Sequence, residues 1–253
     1  MNSNDKIPDY RVYNMRPDEL IFTLIMAMGA CFLVGLIFYE NIILSAILSL
    51  LGVFYIPKYK KDRLRKRKET LLIQFKDALY FINVSLSAGR SFESSITDTY
   101  KAMKGIYDDE NSDMIQELKI MSHRILMNEP VESCFADLAK RSEIEDIKSF
   151  ADVIMISKRS GANLVEVIKN TSQTISEKVE IKQEISTMIA GKKFEQKVLS
   201  IMPFVMVFFL KSSSPGFLEP LMNTTFGHFV MTIALAMIVS GVLLGQKIMH
   251  IEV

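Results

Sequence analysis

The uncharged stretches of this chain are gathered at its two ends. Leu20–Tyr39 carries no charged residue, and Asn41–Ile56 is a second uncharged run, parted from it only by Glu40. Near the C-terminus Val198–Leu210 is uncharged, and Pro220–Gln246 is uncharged apart from any charge on His228. Since about 20 apolar residues cross the hydrocarbon core of a bilayer, the first and last runs predict transmembrane helices. A cleaved secretory signal is the alternative for the first, with Ala27, Gly29 and Ala30 as its small-residue site, but the apolar run continues past them to full-span length. Val198–Leu210 is too short to span alone, and a buried core helix is its other reading. Helical signal entering it from Met188, and Lys211 placed to snorkel towards head groups, predict a span here as well.

Between the ends the pattern becomes amphipathic. Leu72, Phe75, Leu79, Ile82 and Leu86 recur three and four apart and predict one face of a helix from Leu71 to Ala88. Gly89 stops it and Ser91 caps the next helix, Ser91–Met103. Gly105 and the acidic Asp108–Asp113 make a turn, with Ser112 or Asp113 capping a helix whose stripe is Ile115, Leu118, Ile125 and Leu126. That helix stops near Asn128, before Pro130. Val131–Lys140 is a short helix with Phe135, Leu138 and Ala139 inward. Ser142 caps another, carried by Ile144, Ile147, Ala151 and Ile154 to Arg159. Gly161 then ends one helix and Asn163 caps the last, with Glu166 completing a capping box. This last helix is the longest: it alternates Glu177, Lys178, Glu180, Lys182 and Glu184, then runs through Lys192, Lys193 and Lys197 into the third span. Gly89, Ser91, Phe92 and Ile96 match Gly161, Asn163, Leu164 and Ile168 in spacing, which reads either as two related helical halves or as chance recurrence of turn chemistry.

The predicted fold is all-α: an integral membrane protein in which two transmembrane helical hairpins flank a cytoplasmic bundle of about six helices. The hairpins are 20–56 (spans 20–39 and 41–56) and 198–253 (spans 198–213 and 226–247), the helical domain is 57–197, and residues 1–19, broken by Pro8 and Pro17, form a loosely ordered tail.

Local charge orients this arrangement. The formal net charge of +1 gives no reason to expect nucleic acid. Directly after the second span, however, Lys58, Lys60, Lys61, Arg63, Arg65, Lys66, Arg67 and Lys68 stand against Asp62 alone. Such an excess marks the cytoplasmic side, which puts both termini inside and Pro57 where the span emerges. The run is expected along the inner leaflet, attracted by anionic lipids, or else serves only as a solvated face and topology signal. Cys31 and Cys134 fall in different layers and are expected as free thiols. With three histidines, no CxxC, no HExxH, no phosphate loop and no nucleophile elbow, no catalytic residue, cofactor or metal is expected. His228 reads as an interfacial histidine or, less simply, a proton relay.

Two signatures, FKDALYFINVSLSAGRSFESSI and RSGANLVEVIKNTSQTISEKVEIKQEISTMIAGKKFEQKVLSIMPFV, together with the hydrophobic ends, resemble the type II secretion system F family. Within it they are most similar to the platform proteins of tight-adherence (Flp-type) pili, the TadB/TadC group, over about residues 70–250; Lys192 and Lys193 stand where relatives often carry Gln, Gly or Arg. The resemblance implies a bacterial inner-membrane platform, not an enzyme. It would couple a cytoplasmic hexameric secretion ATPase to insertion or extraction of pilin or pseudopilin subunits, and pair with itself or a sister platform protein. Gly89, Ser91, Gly161, Asn163, Glu166 and Pro203 are its structural turns. Asp108, Asp109, Glu110 and Asp113, with the charged face Glu177, Glu180 and Glu184, are candidates for the motor contact. A transporter or channel subunit is the competing reading. It would need facing polar groups within spans that are mostly apolar, with Thr23, Ser45, Ser49, Thr232, Ser240 and a kink-forming Pro203 among their few exceptions.

Overall fold

A computed structural model describes residues 8–13, 15, 17–107, 112–160, 163–214, 216, 218, 220, 221 and 224–249. The fold is all-α. Its elements are α1 (Pro17–Tyr39), α2 (Ile42–Ser49), a 3-10 stretch (Leu50–Phe54), α3 (Tyr55–Ser87), α4 (Phe92–Ile106), α5 (Asp113–Leu126), α6 (Val131–Ser142), α7 (Glu145–Ser160), α8 (Leu164–Ser213) and α9 (Thr225–Met249). They fall into two compact units, Met1–Asn14 with Lys61–Ile181, and Met15–Lys60 with Lys182–Val253.

The first unit is a helical bundle around one apolar core. Phe75, Leu79, Ile82 and Leu86 of α3 point into it as their spacing requires, joined by Leu71 and Ala78, while Leu72 is partly buried at its edge. Phe135 of α6 sits at the centre, with ring centroids 5.1 Å from Phe150, 6.0 Å from Phe92 and 6.4 Å from Phe75. In the turn between α3 and α4, Gly89 has φ +79°, a conformation that penalises any Cβ, and the Ser91 hydroxyl accepts the Ser94 amide at 3.2 Å.

Several local expectations are corrected. The basic run and the first core helix are not separate elements but one 33-residue helix, α3, with Pro57 in its first turn, where a missing amide costs nothing. The second apolar run is likewise not one α-helix, since α2 tightens into the 3-10 stretch before α3 begins. Gly105 lies inside α4, which ends at Ile106. Ser112 stands at the N-cap of α5 but its side chain makes no capping hydrogen bond.

In the second unit α1 and α2 run antiparallel with backbones pressed together at small residues. A Cβ added to Gly35 would lie 2.7 Å from Ser45 Cα, and one on Gly52 would lie 2.9 Å from the Ala27 carbonyl carbon. Such close approach is how apolar helices gain contact in lipid, where burial alone provides no drive. Gly35→Val is therefore expected to wedge this hairpin apart at a cost of about 1–3 kcal/mol. Thermal unfolding of the detergent-solubilised chain would show the loss, with Gly29→Val, whose Cβ meets nothing within 4 Å, as the neutral control.

Among the described residues, three helical segments are long and apolar enough to cross a membrane: Pro17–Tyr39, the run Ile42–Ser87 and Phe226–Ile248. The expected third span, 198–213, is not among them. It is the end of α8, and Lys197 and Lys211 bracket its short uncharged run. Its contacts nevertheless register it against its neighbours. Gln196 lies against Gly245 of α9, Phe204 packs edge-on to Phe38 at 6.0 Å, and Lys211 Nζ pairs with Glu40 at 2.7 Å beyond the end of α1. Helix α9 passes the same levels in reverse, with His228 stacked on Tyr39, Thr232 hydrogen-bonded to the Tyr39 hydroxyl at 2.9 Å and Gln246 accepting from Lys58.

Candidate functional site

The most highly organised polar cluster was not visible in the sequence as a cluster. On α5, Glu117 shares the inward face of Met114, Leu118 and Met121, so its carboxylate is fully buried. A lone buried charge is untenable, and Arg141, near the end of α6, meets it in a two-pronged pair, Nη1 to Oε1 and Nη2 to Oε2, both at 2.6 Å. The Arg141 side chain is only 14% exposed, and its Nε reaches Asp137 at 3.0 Å. Asp137 also accepts from Arg124 Nη1 at 2.9 Å, and Arg124 holds Glu129 in a second two-pronged pair that closes the α5–α6 turn. Burial opposes the Arg141 charge, but Glu117 and Asp137 outweigh it and hold the guanidinium protonated more firmly than usual.

Onto this network docks the segment expected to be loose. Tyr10 is 0% exposed. Its hydroxyl donates to Glu117 Oε1 at 2.9 Å, its amide donates to the Arg141 carbonyl at 3.3 Å, and the Arg67 guanidinium lies 4.8 Å above its ring. Arg141 Nη1 donates to the Pro8 carbonyl and Arg11 Nη2 to the Lys140 carbonyl, each at 2.7 Å. The polar tail is thus corrected to a strap over residues 8–11. The physical reason is that an aromatic ring with a hydroxyl at its tip can fill an apolar slot and satisfy the carboxylate at its base. The only sequence signals were a lone Tyr between Asp9 and Arg11 and a carboxylate on the apolar face of α5.

Burial first, then the charges of Glu117 and Asp113, drive the Tyr10 phenol well above its ordinary pKa. A raised folded-state pKa means the strap's contribution is whole below about pH 10, the unfolded phenol's range, and drains away as pH rises above it. The fall in melting temperature between pH 9 and pH 11 should accordingly be smaller in Tyr10→Phe than in the parent chain. An equal fall in both would remove Tyr10 as the titrating group.

The residues singled out from the sequence are placed as follows. Asp108, Asp109, Glu110 and Gly161 lie outside the described residues. Asp113 is engaged within the bundle, its two oxygens accepting from Arg67 Nε at 2.8 Å and Nη2 at 2.6 Å, which pins the start of α5 to α3. Asn163 caps α8 by accepting the Glu166 amide at 3.5 Å. Glu177, Glu180 and Glu184 are exposed on α8, with Gln173 donating to Glu177 and Lys76 standing 3.8 Å from Glu180. Pro203 sits inside α8, which continues through it. Of the basic run, Lys68 pairs with Glu143 and Arg65 with Glu69, Arg63 is also engaged, and Lys60, Lys61 and Lys66 are exposed. Cys31 and Cys134 are free thiols.

This arrangement ties α5, α6 and the strap together. The Glu117 carboxylate is filled by donors from Arg141 and Tyr10. A shallow cleft of about 370 Å³ between α7 and α8 is lined by Asp146, Ser149, Asn170, Thr174 and Lys178, and its one charged pair, Lys178 with Asp146, closes on itself. Among the described residues no three His, Cys, Asp or Glu side chains gather as a metal site.

Neither the curated proteins nor the solved structures contain a significant match to the chain. The family model described as "Type II secretion system (T2SS), protein F" does match it, over residues 78–210. That stretch runs from Ala78 in the core face of α3, through the glycine turn, the Glu117–Arg141 network and the charged face of α8, to the last apolar residue before Lys211. The matched residues make up more than half of the chain, which therefore belongs to the type II secretion system protein F family.

Proposed function

We propose that this protein is the inner-membrane platform of a type IV pilus or type II secretion-like machine, of the tight-adherence (Flp-type) kind. It couples a cytoplasmic hexameric secretion ATPase to the assembly of pilin or pseudopilin subunits, and pairs with itself or a sister platform protein. The observation that carries this reading is α8, a single 50-residue helix whose first part belongs to the helical bundle and whose remainder belongs to the apolar unit. A chain with no nucleotide-binding motif needs an outside motor to do work at a membrane, and such a helix gives the motor something to move.

The topology proposed has four crossings with both termini in the cytoplasm. Residues 8–13 and Lys61–Ile181 share one unit, so the α1–α2 hairpin leaves that unit and returns to it, which favours an even number of crossings. The end of α8 supplies the third crossing: between Gln196, level with Gly245, and Lys211, level with Glu40, it rises about 22 Å, close to a hydrocarbon thickness for a locally thinned bilayer. The motor contact is assigned to the face Glu177, Glu180 and Glu184 and to Asp108–Glu110, while Asp113 serves the bundle internally.

The test is binding of the reconstituted chain to a cytoplasmic hexameric secretion ATPase. Saturable binding, weakened by charge reversal at Glu177, Glu180 and Glu184, is expected. Filament assembly that proceeds unchanged when this gene is deleted would end the platform reading.

A further inference from the structure

Where the apolar helices of the second unit end, three of them present lysines at one level. Lys58 in the first turns of α3 donates to Gln246 near the end of α9, and Gly245 lies against Gln196 of α8. These two contacts gather Lys58 and Lys60 from α3, Lys193 and Lys197 from α8 and Lys247 from α9 around the same end of the unit, and all five side chains are exposed. Among the described residues no carboxylate pairs with Lys60, Lys193, Lys197 or Lys247. The neighbouring Glu195 is engaged with Lys192 at 3.0 Å. Of the acidic residues near this end, Asp62 stands one turn beyond Lys58 on α3, and Asp18 and Glu19 sit in the first turn of α1, where the helix N-terminus already stabilises negative charge.

Immediately beside this ring the surface is apolar: Phe54, Phe194, Leu199, Leu244 and Ile248 are all more than half exposed. Such a belt is untenable in water but ordinary against lipid tails. A cationic ring edging an acyl-facing belt matches one ligand, an anionic phospholipid, whose tails lie on the belt and whose phosphate meets the ammonium groups. We propose that Lys58, Lys60, Lys193, Lys197 and Lys247 form a collar that selects anionic phospholipid head groups around this protein. The proposal rests on the membrane-embedded reading of the unit, but not on its binding a motor. It adds Lys193, Lys197 and Lys247, which the basic run at 58–68 does not contain, and makes the three helices act together.

Because the chain has no tryptophan, Tyr55→Trp, one residue beyond Phe54, gives a single local reporter. The full-length Tyr55→Trp protein is reconstituted in vesicles of equal parts phosphatidylcholine and phosphatidylglycerol, with one or the other lipid brominated to quench. Several-fold stronger quenching by brominated phosphatidylglycerol is expected, because each lysine near the surface favours anionic lipid by a factor of about five. Replacing the five lysines by glutamine should bring the ratio close to one. Replacing them by arginine should preserve it, which separates lost charge from lost folding, and Lys101→Gln with Lys119→Gln, on the helical bundle, should leave it unchanged. Equal quenching by the two lipids in the parent, or a preference that survives the glutamine variant, overturns the proposal. Loss of motor binding with the preference intact would strike the platform reading alone.

Discussion

Arg141→Ala is expected to destabilise the helical bundle by about 3–5 kcal/mol, the cost of leaving one partner of a buried ion pair behind without the other. The size follows from Glu117, whose side chain has no exposure and which in the variant keeps only the Tyr10 hydroxyl as donor. The loss should be local before it is global. Amide exchange in α5 and α6 should accelerate by about two to three and a half orders of magnitude, since each 1.4 kcal/mol is a factor of ten. Adding Glu117→Gln to Arg141→Ala should recover part of the loss, because it removes the charge that was stranded. Replacing both partners with methionine should recover more, because two apolar side chains of similar volume repack the site without a desolvation penalty. If Arg141→Ala alone left exchange in α5 unchanged, the pair would have to be structurally idle.

That network bears on function through its neighbours in the chain. The strap it holds ends only a few residues before α1, and Arg67, which covers the Tyr10 ring, also grips Asp113 on the helix that follows the acidic loop. The strap and the start of α5 thus share one side chain, Arg67.

What could be read in advance and what could not divides along range. The α3 face was legible because Phe75, Leu79, Ile82 and Leu86 obey a local period, and the turn at Gly89 because glycine and a serine cap act within a few residues of each other. Ile96 and Ile168, which match in spacing after the two glycines, are both fully buried, while Phe92 is more deeply buried than Leu164. By contrast, Tyr10 and Glu117 are 107 residues apart, and no local period says which carboxylate a tail tyrosine will find. Asp113 illustrates the same limit: read locally it belongs to an acidic loop, but its partner Arg67 lies 46 residues earlier. The short apolar end of α8 was ambiguous for a different reason. Lys197 and Lys211 set its length, and only the registers at Gly245 and Glu40 tell how far it extends beside the other helices.

Phe135→Ala should cost about 3–5 kcal/mol, at the upper part of that range. Its ring contacts Phe75 from α3, Phe92 from α4 and Phe150 from α7, so the cavity would open where four helices meet and none could close it without dragging the others. The aromatic pairs, worth about 0.5–1.5 kcal/mol each beyond burial, add to the loss but not in full, since Phe75 and Phe150 keep their own contact at 5.5 Å. Phe135→Leu retains most of the volume and should recover more than half of the stability. The informative measurement is exchange protection by element in the full-length chain. Because Phe75 and Phe92 flank the Gly89 turn, α3 and α4 should lose protection together with α6 and α7. Loss confined to α6 and α7 would mean that the two halves of the bundle are stabilised separately, and that the Gly89 turn is held by its own cap rather than by the core beneath it.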